Sequence, residues 1–288
     1  MKKRAVLRKL IEQEEMLVAP GAHDALSAKV AEDVGFKAVY MTGFGTCVSN
    51  FALPDIGLLT MTEMVQNAAR LNNAVDIPLI ADADTGYGNH LNVMRTVEEY
   101  ERAGIAAIQI EDQVSPKRCG HMDGQKVIPV EEMAAKIRAA VLVRKDKDML
   151  IIARTDAISA VGFEEAIRRG NIYRDAGADI VFVEAPRTME QLENIPKLVK
   201  APVLVNVAPK TPTLSVSQYG ELGYALAIYP AISITTAYRT IREEMMELKK
   251  EGIIKHGAHG GVSFDEFLDF LELKRFRSLE EEALKGQK

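Results

Sequence analysis

Short apolar runs alternate with amphipathic stretches along most of the chain. Met16-Leu17-Val18-Ala19 ends at Pro20-Gly21-Ala22-His23-Asp24, and Ala38-Val39-Tyr40-Met41 ends at Thr42-Gly43-Phe44-Gly45. Pro78-Leu79-Ile80-Ala81 leads into Asp82-Ala83-Asp84, Ala107-Ile108-Gln109-Ile110 into Glu111-Asp112, and Leu150-Ile151-Ile152-Ala153 into Arg154-Thr155-Asp156. Ile180-Val181-Phe182-Val183 meets Glu184, Val203-Leu204-Val205 meets Asn206, and Ala225-Leu226-Ala227-Ile228 meets Tyr229-Pro230. Runs this short and apolar read as strands buried on both faces. Segments 93–103, 131–143, 163–176 and 188–199 carry apolar residues at helical spacing, and Gly35, Gly104, Gly177 and Gly223 punctuate the approach to the next strand. A glycine there supplies the left-handed helix cap. The alternation predicts an α/β fold, a (β/α)8 TIM-type barrel, with a doubly wound open sheet as the competing arrangement.

The chain runs on beyond what a barrel needs. A helix is predicted over 232–250, followed by the break Gly257-Ala258-His259-Gly260-Gly261 and an amphipathic stretch over 264–271. The reading is a single barrel domain over 1–288 in which 255–288 is a C-terminal helical extension. Phe264, Phe267, Leu268, Phe270 and Leu271 must bury against their own barrel or against a partner subunit.

Enzymes with this fold work at the C-terminal ends of the strands. Here those ends carry Asp82, Asp84, Glu111, Asp112, Arg154, Glu184 and Asn206. So many acids at one mouth repel one another unless a cation lies among them. Asp82 and Asp84 flank one residue of extended chain, so they point to the same side. Oxygen ligands with no His or Cys cluster suit Mg2+, with Mn2+ as a substitute. A plain helix-capping role fits Asp24 and Asp55 as well as a site role does. Gly86-Tyr87-Gly88 then lets backbone approach a ligand closely.

Shortly after Glu111-Asp112-Gln113 comes Lys117-Arg118-Cys119-Gly120-His121. A thiol among potential cations is expected to have its pKa drawn down from about 8.5 toward neutrality, where it can give or take a proton. The plainer alternative is a solvated basic turn with an incidental cysteine. Composition narrows the partners. A net charge of −5 with interspersed signs offers no basic face for nucleic acid. No apolar run reaches the roughly 20 residues of a membrane span. The basic start, Met1-Lys2-Lys3-Arg4, continues as a helical pattern without a signal-peptide core. Cys47 and Cys119 make no disulfide framework, so a reduced, cytoplasmic protein is expected. His90, His256 and His259 read as surface or turn residues, Cys47 as a small buried or loop residue, and His23 stands open between a mouth position and a structural one.

Four motifs in order, Asp82-Ala83-Asp84-Thr85-Gly86-Tyr87-Gly88, Ile110-Glu111-Asp112-Gln113, Lys117-Arg118-Cys119-Gly120-His121 and Ala153-Arg154-Thr155-Asp156-Ala157, resemble those of the isocitrate lyase/phosphoenolpyruvate mutase superfamily. The likeness runs from about Pro20 to Tyr229. The cysteine block is similar to the branch containing 2-methylisocitrate lyase, 2,3-dimethylmalate lyase and oxaloacetate acetylhydrolase, whereas the phosphonomutase branch lacks that cysteine.

The resemblance implies a Mg2+-dependent lyase that cleaves a carbon–carbon bond in a 2-hydroxy di- or tricarboxylate, releasing a 2-oxo acid such as pyruvate and a second carboxylate. A phosphonomutase or an oxaloacetate hydrolase is the alternative, and a non-catalytic binding barrel a remote one. It further implies that Asp82 contacts the metal, with Asp55, Asp84 and Glu111 holding its water shell. Thr42, Gly43 and Phe44 offer donors to the oxo acid, Arg154 pairs with its carboxylate, and Glu184 and Asn206 line the other side. Tyr40 and Lys117 take catalytic positions, Cys119 is the general acid, and Gly120 and His121 meet the substrate on a loop, 114–127, that closes over it. In this branch the segment after Asn206 is longer and carries an acid before its Thr-Pro. Here Val207-Ala208-Pro209-Lys210-Thr211-Pro212 is shorter and lacks it, which bears on substrate identity. The family also implies a homotetramer of helix-swapped dimers.

Overall fold

The computed structural model describes residues 2–13, 16–122, 124–254 and 261–285. Eight parallel strands close into one barrel in sequence order: β1 (Leu17–Ala22), β2 (Val39–Met41), β3 (Leu79–Asp82), β4 (Ala107–Glu111), β5 (Leu150–Thr155), β6 (Ile180–Val183), β7 (Val203–Asn206) and β8 (Leu226–Tyr229). The open-sheet alternative is thereby excluded, since β1 pairs with both β2 and β8.

Two differences from the sequence reading have physical causes. β1 does not stop at Pro20 but continues through Gly21 and Ala22, because these two register against Tyr40 and Met41 of β2, while Pro20, lacking an N–H, stands where the ladder to β8 ends. β3, β4, β5 and β7 extend to include Asp82, Glu111, Arg154 and Asn206, so these polar side chains stand on strands rather than on the loops after them.

Alternation along the strands divides the core into layers. Tyr40, Ile80, Ala107, Ile152, Phe182, Leu204 and Ile228 fill the interior, joined by Leu7 and Ile11 of the N-terminal helix Lys3–Glu12. Residues of the opposite parity, such as Ile108, Ile110, Ile151 and Ala153, pack outward against the helices Met61–Ala74, His90–Arg102 and Val130–Val143. Side-chain caps fix several helix starts: Asp24 accepts from Ser27 N before the helix Ala25–Asp33, and Asn89 accepts from Leu91 N and Asn92 N before His90–Arg102.

The chain divides into two compact units, Met1–Thr235 and Thr236–Lys288. The barrel belongs to the first. In the second, the predicted amphipathic stretch is the helix Phe264–Phe270, and the rest of the expected helical extension contains a separate helix, Leu273–Leu284, whose bounds the sequence did not mark. Phe264, Phe267, Leu271, Phe276 and Leu279 are exposed. His256, His259 and the glycines of the 257–260 break lie outside the described residues.

Candidate active site

The barrel mouth encloses a cavity of about 340 Å3 whose wall includes Tyr40, Thr42, Phe44, Asp55, Asp82, Cys119, Gly120, His121, Arg154, Glu184 and Asn206. Eleven of the residues singled out by sequence therefore meet in one place, contributed by six of the eight βα units. Asp84, Glu111 and Lys117 lie buried directly behind this wall.

The acids are arranged around one ammonium. Lys117 Nζ forms an ion pair with Asp55 Oδ1 and lies 2.9 Å from Asp84 Oδ1. Burial alone disfavours that charge, but Asp84 and Asp55 outweigh it and hold the lysine protonated. Asp82 stands apart from the lysine. Its Oδ2 accepts from Gly43 N at 3.3 Å and its Oδ1 from Asp84 N at 3.0 Å. Gly43 sits so close that a Cβ there would meet Asp82 Oδ2 at 2.5 Å. Burial, then the neighbouring Asp84, pushes the Asp82 carboxyl up to about 6. Burial likewise raises Glu111 well above the usual carboxylate range.

Among the described residues no three His, Cys, Asp or Glu side chains converge on one point as a closed metal cage. The arrangement suits a cation of the other kind, held by few carboxylates and several waters. Glu111 Oε1 is buried with no hydrogen-bond partner. Asp84 Oδ1 also lacks a well-formed hydrogen bond, although Lys117 stands in ion-pair range. Buried oxygens left unsatisfied and two carboxyls pushed toward neutrality fit a divalent cation beside Asp82, with Asp84 and Glu111 within reach of its water shell.

Arg154 crosses the other side of the mouth. Its Nε and Nη2 lie 2.9 and 2.8 Å from the two oxygens of Asp156, a bidentate pair, and its Nη1 and Nη2 approach Glu111 and Glu184 at 3.3 Å each. The guanidinium also stacks 5.2 Å over the Phe182 ring. The fork expected to face a substrate is thus engaged by Asp156, a residue whose role the sequence did not reveal. Toward the cavity Arg154 presents the nitrogens it shares with Glu111 and Glu184. Burial opposes the charge on Glu184, but Arg154 together with His121 and Asn206 outweighs it and holds the carboxyl down at about 2.

The loop 114–127 lies over the cavity and its ends are pinned by a bridge between Gln113 and Val127. Cys119 N donates to Asp55 O at 3.1 Å, and Gln125 Nε2 donates to the carbonyls of Cys119, Gly120 and Met122. A Cβ on Gly120 would meet Arg154 Nη2 at 2.5 Å and Glu184 Cγ at 2.6 Å, so only glycine lets the loop come this close. His121 Nδ1 accepts from Lys210 N at 3.3 Å, and its Nε2 lies 3.2 Å from Asn206 Nδ2 and 3.4 Å from Glu184 Oε1. Lys210 Nζ also donates to Met122 O at 2.8 Å, so the shortened 207–212 segment ties down the loop. Its Ala208 and Pro209 join Phe44, Phe182, Ile228 and Pro230 as apolar wall.

Two sequence expectations change, and His23, left open by the sequence, takes a structural place. The Cys119 pKa is raised rather than lowered, because burial dominates and Lys117 is spent on carboxylates. Asp112 does not face the mouth. As the neighbour of inward-facing Glu111 it points outward, where it accepts from Thr155 Oγ1, Asp156 N, Arg169 Nη1 and Tyr173 Oη. His23 is buried at the end of β1 with Nδ1 2.9 Å from Ser233 Oγ, holding the start of the helix Ile232–Glu251 rather than lining the cavity. Asp24 is a helix cap, whereas Asp55 belongs to the lysine cluster. Tyr40 donates to Gln109 Oε1 at 3.1 Å, and burial followed by Asp82 keeps its phenol protonated. Cys47 is buried in the helix Gly43–Phe51 with Sγ on Pro54 O, and His90 is exposed.

Comparison with known proteins gives the family. A family model described as phosphoenolpyruvate phosphomutase matches residues 7–249. The chain is 45% identical to the 2,3-dimethylmalate lyase of Eubacterium barkeri, covering all of both chains. It is 42% identical to the 2-methylisocitrate lyase of Aeropyrum pernix, over 92% of this chain and 86% of that one. Among solved structures, an oxaloacetate acetylhydrolase in complex with 3,3-difluorooxalacetate superposes with a TM-score of 0.93 at 36% identity, covering 98% and 97% of the two chains. A phosphonopyruvate hydrolase in complex with oxalate and Mg++ gives 0.91 at 33% identity, covering 99% and 100%.

Proposed function

The chain belongs to the phosphoenolpyruvate mutase/isocitrate lyase superfamily, and from that premise we propose that it is a carbon–carbon lyase cleaving a 2-hydroxy dicarboxylate or tricarboxylate of the 2,3-dimethylmalate or 2-methylisocitrate kind. The products are a 2-oxo acid, such as pyruvate, and a second carboxylate. The observation that carries this reading is Cys119: a half-buried thiol, its pKa raised by burial, in the wall of the same cavity as Asp82 and Arg154.

Asp82, with Asp55, Asp84 and Glu111 behind it, is the place for Mg2+, for which Mn2+ can substitute. Once bound, the ion supplies a Lewis acid for the oxygens of the oxo-acid half. The chain's own residues do the rest. With Gly43 N–H on Asp82 and Gly45 N–H on Thr42 Oγ1, the Phe44 N–H and the Thr42 hydroxyl are the groups at the start of the helix Gly43–Phe51 that serve the oxo-acid carboxylate. Arg154 places positive charge beside it, and the Tyr40 hydroxyl donates to the oxygen on which charge develops. The 2-hydroxyl passes its proton to a mouth carboxylate, Glu111, whose Oε1 is buried without a hydrogen-bond partner; the substrate's C–O bond becomes a carbonyl and the C2–C3 bond breaks. The bonding pair leaves with C3 as the enolate of a carboxylate. Cys119 gives its proton to C3, and the thiolate is stabilised by the His121 N–H and by Arg154. Lys117 holds Asp55 and Asp84 in place through its ion pairs with both. Glu184, Asn206 and His121 form the wall beside the departing fragment. The loop 114–127 keeps bulk water from the enolate.

Phosphonomutase chemistry moves no proton to carbon and has no task for Cys119. The thiol's role requires a reducing compartment, which supports a cytoplasmic location. The exposed Phe264, Phe267, Leu271, Phe276 and Leu279 support assembly of several copies, in our reading a homotetramer of dimers that exchange C-terminal helices. The decisive experiment is a substrate panel of 2-methylisocitrate, 2,3-dimethylmalate, oxaloacetate and phosphonopyruvate, each with Mg2+, read by pyruvate or oxalate release. Turnover of phosphonopyruvate alone would overturn the lyase reading.

A further inference from the structure

The loop after β3, residues 82–88, takes an uncommon path. Asp84 and Tyr87 both adopt left-handed backbone, with φ of 45° and 60°, in addition to Gly86 at 80°. Non-glycine residues pay for that conformation, and they keep it only where surroundings over-determine it. The left-handed turn at Asp84 is what returns its carboxylate to the side of Asp82 and Lys117.

The hydrogen bonds of this loop show what holds it. Ala83 O accepts from Gly86 N at 2.9 Å and Asp84 O from Glu111 N at 2.8 Å, both backbone bonds. The other three carbonyls are taken by side chains reaching in from helices. Tyr100 Oη donates to Asp82 O at 2.9 Å, Thr96 Oγ1 to Gly86 O at 3.1 Å, and Lys136 Nζ to Thr85 O at 3.1 Å. Each carbonyl from 82 to 86 is therefore occupied.

Lys136 is the unusual member. It sits on the helix Val130–Val143 and is only 3% exposed. Among the described residues it forms no ion pair, and its hydrogen bond goes to Thr85 O. A lysine buried without a carboxylate partner carries a desolvation cost that an ordinary core position would avoid. Burial accordingly lowers its pKa. An aliphatic stem long enough to cross the helix–strand layer, with a donor at its end, is the one thing this site requires.

We propose that Lys136 is a positioning residue for the acidic loop: by holding the Thr85 carbonyl it keeps Asp84 in its left-handed turn and thereby sets Asp82 and Asp84 for the cation. This rests on the metal reading above, and it concerns a side chain that touches neither substrate nor metal. Groups that orient ligands in this way typically change metal affinity by 10- to 100-fold when removed.

The test uses Lys136→Met, which keeps length and apolar bulk, and Lys136→Gln, which remains polar but falls short of Thr85 O. Two readouts are taken on the full chain. Hydrogen exchange of the metal-free protein is followed in peptides covering 83–88 and in peptides covering β6 and β7. Mg2+ is titrated calorimetrically in the presence of oxalate. Both variants are expected to exchange at least about tenfold faster in 83–88, with β6 and β7 unchanged, and to bind Mg2+ about tenfold or more weakly. If Lys136→Met does not fold, Lys136→Gln decides alone. A lowered Tm with loop exchange and Mg2+ affinity within twofold of wild type would overturn the proposal and leave Lys136 as core packing. Should the wild-type protein bind no Mg2+, the metal reading fails on its own, and the exchange of 83–88 still decides whether Lys136 holds the loop.

Discussion

Glu111 and Asp112 are adjacent in the chain and serve opposite faces of the barrel wall. Glu111 Oε2 points inward, 3.3 Å from Arg154 Nη1, while Asp112 Oδ2 points outward, 2.7 Å from Tyr173 Oη and 3.0 Å from Arg169 Nη1. Identical chemistry one residue apart is thus divided between site and scaffold by strand parity.

That division can be measured. Asp112→Asn leaves the Arg169 guanidinium buried with its charge partner gone, and breaking such a pair costs about 3–5 kcal/mol. The lower end is expected, because Arg169 Nε keeps Glu165 at 2.9 Å. Glu111→Gln should change stability by only about 1 kcal/mol, since burial already disfavours its charged form. Its effect should fall on metal-dependent turnover. Denaturant unfolding of the two variants checks this, and equal stability losses would contradict it.

Cys119→Ser should leave fold and Mg2+ binding intact while lowering kcat by about two to four powers of ten, the usual range for a positioned proton donor. The pH dependence follows from the direction of the thiol's shift. A general acid works while protonated, and burial raises the Cys119 pKa. The alkaline loss of kcat should therefore begin above the ordinary thiol range of about 8.5, not below it. A kcat profile of the wild type falling between pH 6 and 8, with a flat profile in Cys119→Ser, would place the thiol in the wrong protonation state for this role.

Much of this site was legible because strand ends are easily read. Asp82, Glu111, Arg154, Glu184 and Asn206 each follow an apolar run, so their convergence followed once eight runs implied a barrel. What could not be read was the outcome of competition among charges. Lys117 lies two residues from Cys119 and was expected to act on the thiol, yet its ammonium is claimed by Asp55 and Asp84, which are distant in sequence. Asp156 took the fork of Arg154 for the same reason: residues two apart on extended chain share a face, and two is also the spacing that brings a carboxylate onto a guanidinium. Lys136 gave no signal, because a lysine on an amphipathic helix is indistinguishable from a solvated one until its burial is known. The start of the helix Leu273–Leu284 was hidden by the left-handed turn at Glu272, φ 59°, which no local glycine announces.

Asp82→Ala should abolish metal-dependent activity while sparing the fold. Asp82 is the carboxylate of the cluster free of Lys117, and its removal takes away the ligand rather than a salt-bridge partner. Calorimetric titration with Mg2+ and Mn2+ in the presence of an oxo acid checks it. Unchanged affinity for both ions would move the metal away from β3. Lys117→Met provides the contrast: it strands Asp55 and Asp84 as unpaired buried acids, so it should lower stability by about 3–5 kcal/mol as well as activity.

The final expectation concerns assembly. In the helix Phe264–Phe270 the rings of Phe267 and Phe270 stack at 6.3 Å, and Phe264, Phe267 and Leu271 are all at least 40% exposed. The following helix adds Phe276 and Leu279 at 59% and 52%. Side chains of this size each contribute about 1.5–3 kcal/mol when fully buried. Together they form the kind of contiguous apolar surface that monomers seldom leave in water. We therefore expect the full chain to run as a tetramer by light scattering, and a chain truncated after Ile254 to dissociate into smaller species. Since Asp82, Arg154 and Cys119 all belong to the unit Met1–Thr235, the truncated protein should still bind Mg2+ with oxalate, though with a lowered Tm. A full-length monomer, or a truncation that stays tetrameric, would show that these helices do not build the assembly.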